Sequence, residues 1–393
     1  MEKSKIGAIF KNNIRQYAMI IALLVIVVLF QILTKGILLY PQNVANLILQ
    51  NGYVIVLAIG MMLCILTGGN IDLSVGSIVA FTGAIAGQLI IAMKMDVWLA
   101  IVITIAAGFA IGAWQGFWIA YIRVPPFIAT LAGMLIFRGL TNAILRGLTL
   151  APFPDSYLVL TAGFVKDIFN FPDLKLNITS LVVGVIIIIS YIFFSIKDRI
   201  NKRKYNFEVT SLPLFILQIL LISSVIMVFF YWLARYKGMP TVLVLIGVLI
   251  IGYTFFTQKM VFGRYIYAMG GNETAARLSG INTKKVLFFA YLNMGVLATI
   301  TGIIFSARLN AASPVAGTMF ELDAIAACFI GGASAYGGVG TIIGAVIGAL
   351  VMGVLNNGMS IVGVGIEWQA VIKGMVLLSA VAFDVFSKSR AKA

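Results

Sequence analysis

Carboxamide and carboxylate side chains interrupt several of the most apolar stretches of the chain. They are Asn46, Gln50 and Asn51 in one stretch, Asp72 after it, Glu321 and Asp323 in MFELDAIAA, and Asn356 and Asn357 in a fourth. A carboxamide offers hydrogen-bond donors and an acceptor, so such residues suit hydroxyl-rich ligands. They equally suit bonds between helices. We regard the set as candidates for a substrate pathway or its gate, with interhelical bonding as the alternative.

The three acids have a second explanation. Asp72 lies in GGNIDLSVGS, and Glu321 and Asp323 precede an apolar run, so each stands where a helix is expected to begin. Short acceptor side chains cap helix N-termini, and acids there complement the helix dipole. Arg138 and Arg308 lie in or beside apolar stretches, where they either pair with these acids or extend toward water. Capping and gating both stay open for the acids.

Composition excludes most catalytic chemistry. The chain contains no histidine, so a histidine metal site or catalytic triad is impossible. GGASAYGGVGT, residues 331–341, is glycine-rich but lacks the Gly-Lys-Ser/Thr ending of a phosphate-binding loop. Gly340, Gly344 and Gly348 follow at a spacing of four, which permits close helix contact within one subunit or at a dimer seam. We predict no catalytic residue, no metal site and no cofactor.

A polar segment, Gly263–Lys285, separates two strongly apolar stretches. Its sequence, GRYIYAMGGNETAARLSGINTKK, predicts a short helix capped by Asn272. Ala275, Ala276 and Leu278 are expected to form a compact apolar surface on it. In a chain without a nucleotide site, such a loop is where another subunit could push; a helix on the lipid surface is the alternative. The proposed contact residues are Gly270, Gly271, Asn272, Glu273, Ala275, Ala276, Arg277, Leu278 and Gly280.

The elements that carry these residues must be membrane helices. Hydrophobic residues make up 61% of the chain and charged residues 10%, against about 25% charged in soluble domains. Lipid leaves backbone groups no water to bond, so the spans are expected to be helical. Cys64 and Cys328 lie in apolar stretches and are predicted to be buried, inert thiols. Twelve spans are predicted, near 17–33, 45–67, 73–93, 97–122, 127–145, 180–196, 212–233, 240–257, 285–307, 322–336, 340–358 and 367–386.

Basic residues are distributed unevenly between the predicted loops. They concentrate before the first span, at 197–204, at 259–285 and after the last span. Because cytoplasmic loops carry the excess of lysine and arginine, both termini are predicted to be cytoplasmic. The net charge of +15 then faces anionic lipid and requires no nucleic-acid partner.

The polar segment and four further blocks resemble the permease subunits of monosaccharide ABC importers, the ribose, xylose, galactose and multiple-sugar group. The four blocks follow in the same order as in that family: NIDLSVGS, PPFIATLAGMLIFRGLT, AGTMFELDAIAACFIGGASAYGGVGTIIGAVIGAL and LNNGMSIVGV. Together the five blocks cover most of residues 40–385. Each motif alone is only moderately specific, but five in register are a strong indication.

The resemblance implies a function and a set of partners. A second permease copy or a paralogue would complete the pathway, two cytoplasmic ATPase subunits would drive it, and an extracytoplasmic sugar-binding protein would deliver the cargo. Residues 270–281 would be the coupling helix that seats in a groove of the ATPase. The chain would be a non-catalytic subunit in the bacterial cytoplasmic membrane.

The chain departs from the shorter ribose-type permeases between residues 148 and 239, where two additional apolar runs flank the basic loop at 197–204. Longer members of the xylose and multiple-sugar branch resemble this layout. The predicted fold is therefore an all-α, polytopic membrane bundle with about ten core helices plus an inserted pair. It forms a single permease domain over 1–393, with the insertion inside 148–239 and a cytoplasmic coupling loop at 258–284.

Two alternative functions remain open from the sequence. An ABC permease of this kind could carry a nucleoside, an amino acid or an autoinducer instead of a sugar. A secondary transporter driven by protons or sodium is less consistent, because such proteins usually show inverted repeats and buried titratable groups near the midplane. This chain has no evident internal duplication, and its acids cluster near predicted span ends.

Overall fold

A computed structural model describes residues 14–169, 175–207 and 209–392, which form fifteen α-helices and two isolated β-bridges. The helix bounds in chain order are α1 Ile14–Leu33, α2 Pro41–Leu66, α3 Val75–Gly87 (continued by a π-helical turn, Gln88–Ala92), α4 Val97–Ala120, α5 Pro126–Leu145, α6 Asp155–Leu158, α7 Ile178–Lys204, α8 Leu212–Ala234, α9 Thr241–Lys259, α10 Val261–Gly271, α11 Glu273–Leu278, α12 Thr283–Leu309, α13 Phe320–Ile330, α14 Ile342–Val362 and α15 Ile366–Lys392. The predicted all-α membrane bundle is confirmed.

Ten of the described helices are long and apolar enough to cross a membrane: α2, α3 with its π-helical turn, α4, α5, α7, α8, α9, α12, α14 and α15. Within α1 the apolar part counted is the shorter stretch Met19–Leu33. The predicted helix over 322–336 is corrected, because α13 has 11 residues, which rise about 16 Å, roughly half of a 30 Å hydrocarbon core. The glycine-rich loop after Ile330 ends it, with Gly332, Gly337 and Gly338 in left-handed conformations.

The described part of the chain divides into two compact units, and most helices belong to the first, which comprises residues 14–38, 47–162 and 242–392. Helix α2 forms the core of this unit, and every residue from Asn51 to Leu66 is buried. This burial, and not apolarity alone, places α2 in the interior of the bundle, because equally apolar spans such as Leu212–Ala234 are mostly not buried. Cys64 in α2 and Cys328 in α13 are both buried free thiols, which confirms that prediction of burial.

Close helix contacts in this unit require glycine, which has no side chain, at the points of contact. A Cβ on Gly344 or Gly348 of α14 would overlap the backbone of Gly331 or Ala327, so α14 lies directly against α13. Two of the small residues spaced four apart, Gly344 and Gly348, thus make their close contacts within the subunit. Gly340, the first member of the series, lies in the loop before α14 instead.

Local side chains set several helix ends. Asp96 accepts hydrogen bonds from the backbone N–H groups of Trp98 and Leu99 at the start of α4. Thr341 caps the start of α14, and Gly363 in a left-handed conformation ends that helix. These ends fix which residues of each helix face the interior.

The second unit comprises residues 39–46 and 163–241 and contains α7 and α8. The two helices pack where Gly184 meets the ring of Phe230. At the start of α7, Asp167 accepts the backbone N–H groups of Ile178 (3.0 Å) and Thr179 (3.1 Å). Desolvation raises the pKa of Asp167, but the hydrogen bonds from Ile178, Thr179 and Phe169 together outweigh it and hold that pKa below its usual value. The idea that this region is an insertion into a single permease domain stays a prediction.

Candidate functional site

A buried polar cluster joins four helices of the first unit around the carboxylate of Asp323, in the first turn of α13. Tyr53 of α2 donates its hydroxyl to Asp323 Oδ2 at 2.8 Å, and Asn356 Nδ2 of α14 lies 3.4 Å from the same oxygen. Lys373 Nζ of α15 lies 3.0 Å from Asp323 Oδ1. The ring of Tyr53 stacks on Phe320 at 3.8 Å, which holds the hydroxyl toward the acid.

The ion pair in this cluster is desolvated. The side chains of Asp323 and Lys373 are only 2% and 17% exposed. Charged side chains inside a membrane protein are expensive, so they are found mostly where they pair with one another or line a pathway. The pair links the half-length helix α13 to the full-length helix α15, and Lys373 is its more accessible member. The cluster therefore has the character of a functional site.

A second group of amides lies at Gln50 on α2. Asn357 Nδ2 of α14 lies 3.4 Å from Gln50 Oε1, and Arg308 Nη1 of α12 lies 3.4 Å from the Gln50 carbonyl oxygen. These distances are at the long end of the hydrogen-bond range. Asn51 Nδ2 instead donates to the carbonyl of Leu47 on its own helix, at 3.1 Å. Weak bonds of this kind can be exchanged for bonds to a hydroxylated ligand.

The structure brings together four of the eight residues predicted for the pathway: Gln50, Asp323, Asn356 and Asn357. Asn51 follows Gln50 directly but bonds its own helix. Asn46 lies one turn earlier on α2, in the segment that belongs to the second unit. Asp72 bonds Ser74 and Gln115, and Glu321 packs against Gly76 of α3. A pathway role for all eight remains a prediction.

Asp72 does not cap α3, so that prediction was wrong. The N-cap position is Ser74, two residues later. Asp72 Oδ1 accepts the Ser74 backbone N–H (2.9 Å), the Ser74 hydroxyl (2.6 Å) and Gln115 Nε2 (3.2 Å). Burial raises the pKa of Asp72 to about 6, and the hydrogen bonds from Ser74 and Gln115 oppose that rise. The residue fixes the loop between α2 and α3.

Neither acid at the start of α13 acts as its N-cap. That position is Met319, in a left-handed conformation, with no side-chain cap bond. Glu321 lies in the first turn, against Gly76 of α3, where a Cβ would overlap its carboxylate. Asp323 bonds Tyr53 and Lys373 instead of the helix end because those partners reach it from other helices.

Arg138 of α5 holds the loop that precedes α13 through hydrogen bonds to backbone carbonyls. Its charge also attracts the Glu321 carboxylate, in line with the expectation that it pairs with an acid. Its Nη1 donates to the carbonyls of Pro314 (2.9 Å) and Ala316 (2.7 Å). The charge raises the strength of both hydrogen bonds. The loop leads directly into the helix that carries Asp323, so Arg138 contributes to positioning that acid.

Replacing Arg138 with methionine is expected to lower the free energy of unfolding of the purified protein by about 2–4 kcal/mol, because two charge-assisted hydrogen bonds are lost. The measurement is the unfolding midpoint in detergent. Arg146→Met is the matched control, since Arg146 is exposed just beyond the same helix. Equal midpoints for the Arg138 and Arg146 variants would contradict the assignment.

Sequence reasoning missed three residues of the site: Tyr53, Gln115 and Lys373. Tyr53 lies inside a long apolar stretch and carries no local signal, whereas Gln115 is a carboxamide in such a stretch and could have been found by the pattern used for the others. Lys373 was recognisable as a lysine within an apolar run, which is itself an indication of an intramembrane charge partner. Its partner Asp323 is 50 residues away in the chain, so the pairing depends on the fold.

The polar segment forms α10 and α11, two helices that break at Asn272. Asn272 caps α11 through the N–H of Ala275 at 2.9 Å, and Gly280 ends it in a left-handed conformation. Leu278 is 82% exposed, and Ala275 and Arg277 are exposed beside it. The expected apolar surface is corrected at one position. Ala276 is 5% exposed because it faces the rest of the chain.

A salt bridge ties α11 to the loop after α4. Glu273 Oε1 lies 2.9 Å from Arg123 Nη1, and the two side chains are 43% and 41% exposed. Thr283 Oγ1 at the start of α12 also donates to Glu273, at 3.2 Å. The exposed surface of the segment therefore includes Ala275, Arg277 and Leu278. Glu273 faces the chain's own Arg123, and Gly270 packs inward against the Leu66 carbonyl.

Arg123→Gln is expected to change the stability of the isolated permease by less than about 1 kcal/mol, because the pair is exposed. The thermal midpoint measures it, with Lys202→Gln as the control that removes the exposed Asp198–Lys202 pair. A loss of more than about 2 kcal/mol in the Arg123 variant alone would show a larger structural role than an exposed pair has.

Comparison with known proteins identifies the class. The family model "Branched-chain amino acid transport system / permease component" matches residues 43–381. The chain therefore belongs to this family of transport permeases, and it is a multi-pass membrane protein. No solved structure gives a significant match.

Curated relatives match along nearly the whole chain. The chain is 39% identical to the xylose transport system permease protein of Haemophilus influenzae, over 96% of this chain and 98% of that protein. It is 37% identical to the Escherichia coli K12 xylose permease, over 96% and 93%, and 35% identical to the E. coli K12 ribose import permease, over 93% and 92%. These matches confirm the family resemblance inferred from the motifs.

Proposed function

We propose that this protein is the permease subunit of an ATP-driven importer that moves a monosaccharide into the cytoplasm by alternating access. The observation that carries the proposal is the 37–39% identity to xylose permeases over 96% of the chain. The ribose permease at 35% identity extends the comparison to a second pentose. A pentose or hexose is therefore the proposed cargo.

The proposed complex contains two ATPase subunits, an extracytoplasmic sugar-binding protein and a second permease, identical or paralogous. ATP hydrolysis takes place in the partner subunits, and both termini of this chain lie in the cytoplasm of a bacterium. The exposed face of α11, with Ala275, Arg277 and Leu278, contacts the ATPase. A short helix that presents one large apolar side chain and one charge suits a groove in another protein.

The proposed pathway runs past the polar cluster of Tyr53, Asp323, Asn356 and Lys373, and past Gln50 and Asn357. Supporting this, Asn356 Oδ1 is buried with no hydrogen-bond partner among the residues that the structure describes, so the cluster has an unused acceptor. A sugar hydroxyl can donate to that oxygen and accept from an amide at once. The long contacts at Gln50 would exchange at low cost.

A branched-chain amino acid is the second candidate cargo, because the family description names one. An amino-acid zwitterion needs a free cation and a free anion in the site. In the polar cluster Asp323 and Lys373 neutralise each other. That pairing favours a neutral, hydroxylated cargo, and it equally disfavours ion-driven transport through Asp323.

The test is reconstitution of the permease with its ATPase and binding protein in liposomes. D-Xylose, D-ribose, D-galactose and L-leucine are added separately with the binding protein outside. A sugar is expected to stimulate ATP turnover and enter the vesicles, and unlabelled sugar to compete. Stimulation by leucine alone, or uptake that follows an ion gradient without ATP, would contradict the proposal.

A further inference from the structure

Three separate segments of the first unit meet through their backbones at the end of α2. They contribute Leu66 and Gly69, Gly270 at the end of α10, and Ala335 and Gly338 from the loop between α13 and α14. We call these five residues the glycine junction. Its place matters because α10 leads directly into α11, the proposed contact of the ATPase.

The contacts in the junction leave no room for side chains. A Cβ on Gly270 would overlap the Leu66 carbonyl oxygen, and a Cβ on Gly69 would overlap the Ala335 carbonyl oxygen. Gly338 N donates to that same Leu66 oxygen at 3.1 Å. Backbone in direct contact with backbone cannot yield by changing a rotamer. A displacement of one segment is therefore passed to the others.

Two side chains strengthen the attachment of the loop between α13 and α14. The Tyr267 hydroxyl of α10 donates to the Gly340 carbonyl at 2.9 Å. The Ala335 backbone N–H donates to Asp384 Oδ2 of α15 at 3.2 Å. The loop is thus held by α10, which leads to the coupling helix, and by α15, which carries Lys373.

The junction is connected to the polar cluster by two rigid helices. From Leu66, α2 runs back 13 residues to Tyr53, about 20 Å along the helix axis. From Gly331, α13 runs back 8 residues to Asp323, about 12 Å. At their far ends the two helices meet in the Tyr53–Asp323 hydrogen bond. Two of the four helices that form the cluster therefore lead to the junction: α2 directly, and α13 through the loop that follows Ile330.

We propose that the glycine junction transmits movement of the coupling helix to the polar cluster, with Gly270 as the positioning residue of that linkage. The proposal rests on the proposed function, since it needs an ATPase that moves α11. Displacement of α10 shifts the end of α2 and the loop after α13 together, and so changes the Tyr53–Asp323–Lys373 contacts. The residues act through backbone geometry and touch no cargo.

The test compares Gly270→Ala with Gly247→Ala in the reconstituted complex. Both positions are helical glycines, but a Cβ on Gly247 meets nothing within 4 Å. The readouts are copurification with the ATPase, ATP turnover with and without binding protein loaded with D-xylose, and sugar taken up per ATP. The last ratio reports coupling, and a variant that is merely less stable would leave it unchanged.

The Gly270 variant is expected to assemble and hydrolyse ATP while its uptake per ATP falls about tenfold or more, as misplacement by overpacking implies. The Gly247 variant is expected to match the wild type. A wild-type ratio in the Gly270 variant overturns the linkage alone. Failure of the wild-type complex to respond to any of the sugars removes the proposed function, and this inference with it.

Tyr267→Phe keeps the test decisive if the Gly270 variant does not assemble. This change removes the hydroxyl that bonds Gly340, together with its interaction with the Thr257 side chain, and keeps the ring. We expect it to assemble normally and to lower uptake per ATP by a smaller factor than Gly270→Ala. Wild-type coupling in Tyr267→Phe, together with failed assembly of Gly270→Ala, would assign the junction to folding and overturn the proposal.

Discussion

Asp323→Ala is expected to destabilise the protein by about 3–5 kcal/mol and to abolish transport, because it leaves Lys373 buried without a counter-charge. The ammonium is 17% exposed and has its carboxylate partner at 3.0 Å. Tyr53 also loses the acceptor of its hydroxyl. The measurements are the thermal midpoint in detergent and uptake by reconstituted vesicles.

A double variant separates charge from function at this site. Asp323→Asn combined with Lys373→Met removes both charges, keeps an acceptor for Tyr53 and should recover most of the stability, because replacing a whole buried pair is often nearly neutral. Transport is expected to remain lost. Asp198→Ala is the control for an exposed pair and should cost less than about 1 kcal/mol. An Asp323→Ala protein as stable as the wild type would contradict the assignment.

Leu278→Glu is expected to weaken binding of the ATPase by about 30-fold or more while the permease itself folds normally. Leu278 is 82% exposed, so its replacement removes no internal contact. Hot-spot side chains at the centre of an interface contribute about 2 kcal/mol or more, and we expect Leu278 to be one because it is the large apolar side chain that α11 exposes. The measurements are copurification of the ATPase and its dissociation constant from the purified permease.

The matched control is Leu148→Glu, an equally drastic change at a leucine that is 66% exposed in the loop after α5. That loop lies on the predicted outer side, so ATPase binding should be unaffected. Unchanged binding in Leu278→Glu, or equal loss in both variants, would remove α11 as the specific contact. Arg277→Ala offers a milder version and should change the association rate and its salt dependence more than the affinity.

Much of the architecture could be predicted because its causes are local. Apolar stretches long enough to span lipid, interrupted by polar loops, give the helix count nearly correctly. The cap at Asn272 and the stop at Gly280 are short-range signals, and both are present in the structure. The burial of both cysteines follows from the apolar stretches around them.

The sequence predictions failed where contacts with residues far away in the chain determine the local structure. The 322–336 stretch is apolar enough for a span, but glycines in left-handed conformations end the helix at Ile330. Asp72 has the sequence position of a helix cap, but its carboxylate accepts hydrogen bonds from Ser74 and from Gln115 of α4. The pairing of Asp323 with Lys373 joins residues far apart in the chain. No local pattern contains such a partner.

The two thiols of the chain, Cys64 and Cys328, are both buried in the protein interior. A cysteine introduced at exposed Ser279, beside the coupling helix, would then be the single site open to maleimide labelling in the folded protein. No native residue has to be removed first. With a reagent that cannot cross the bilayer, modification from one side of oriented vesicles would report which compartment this segment faces.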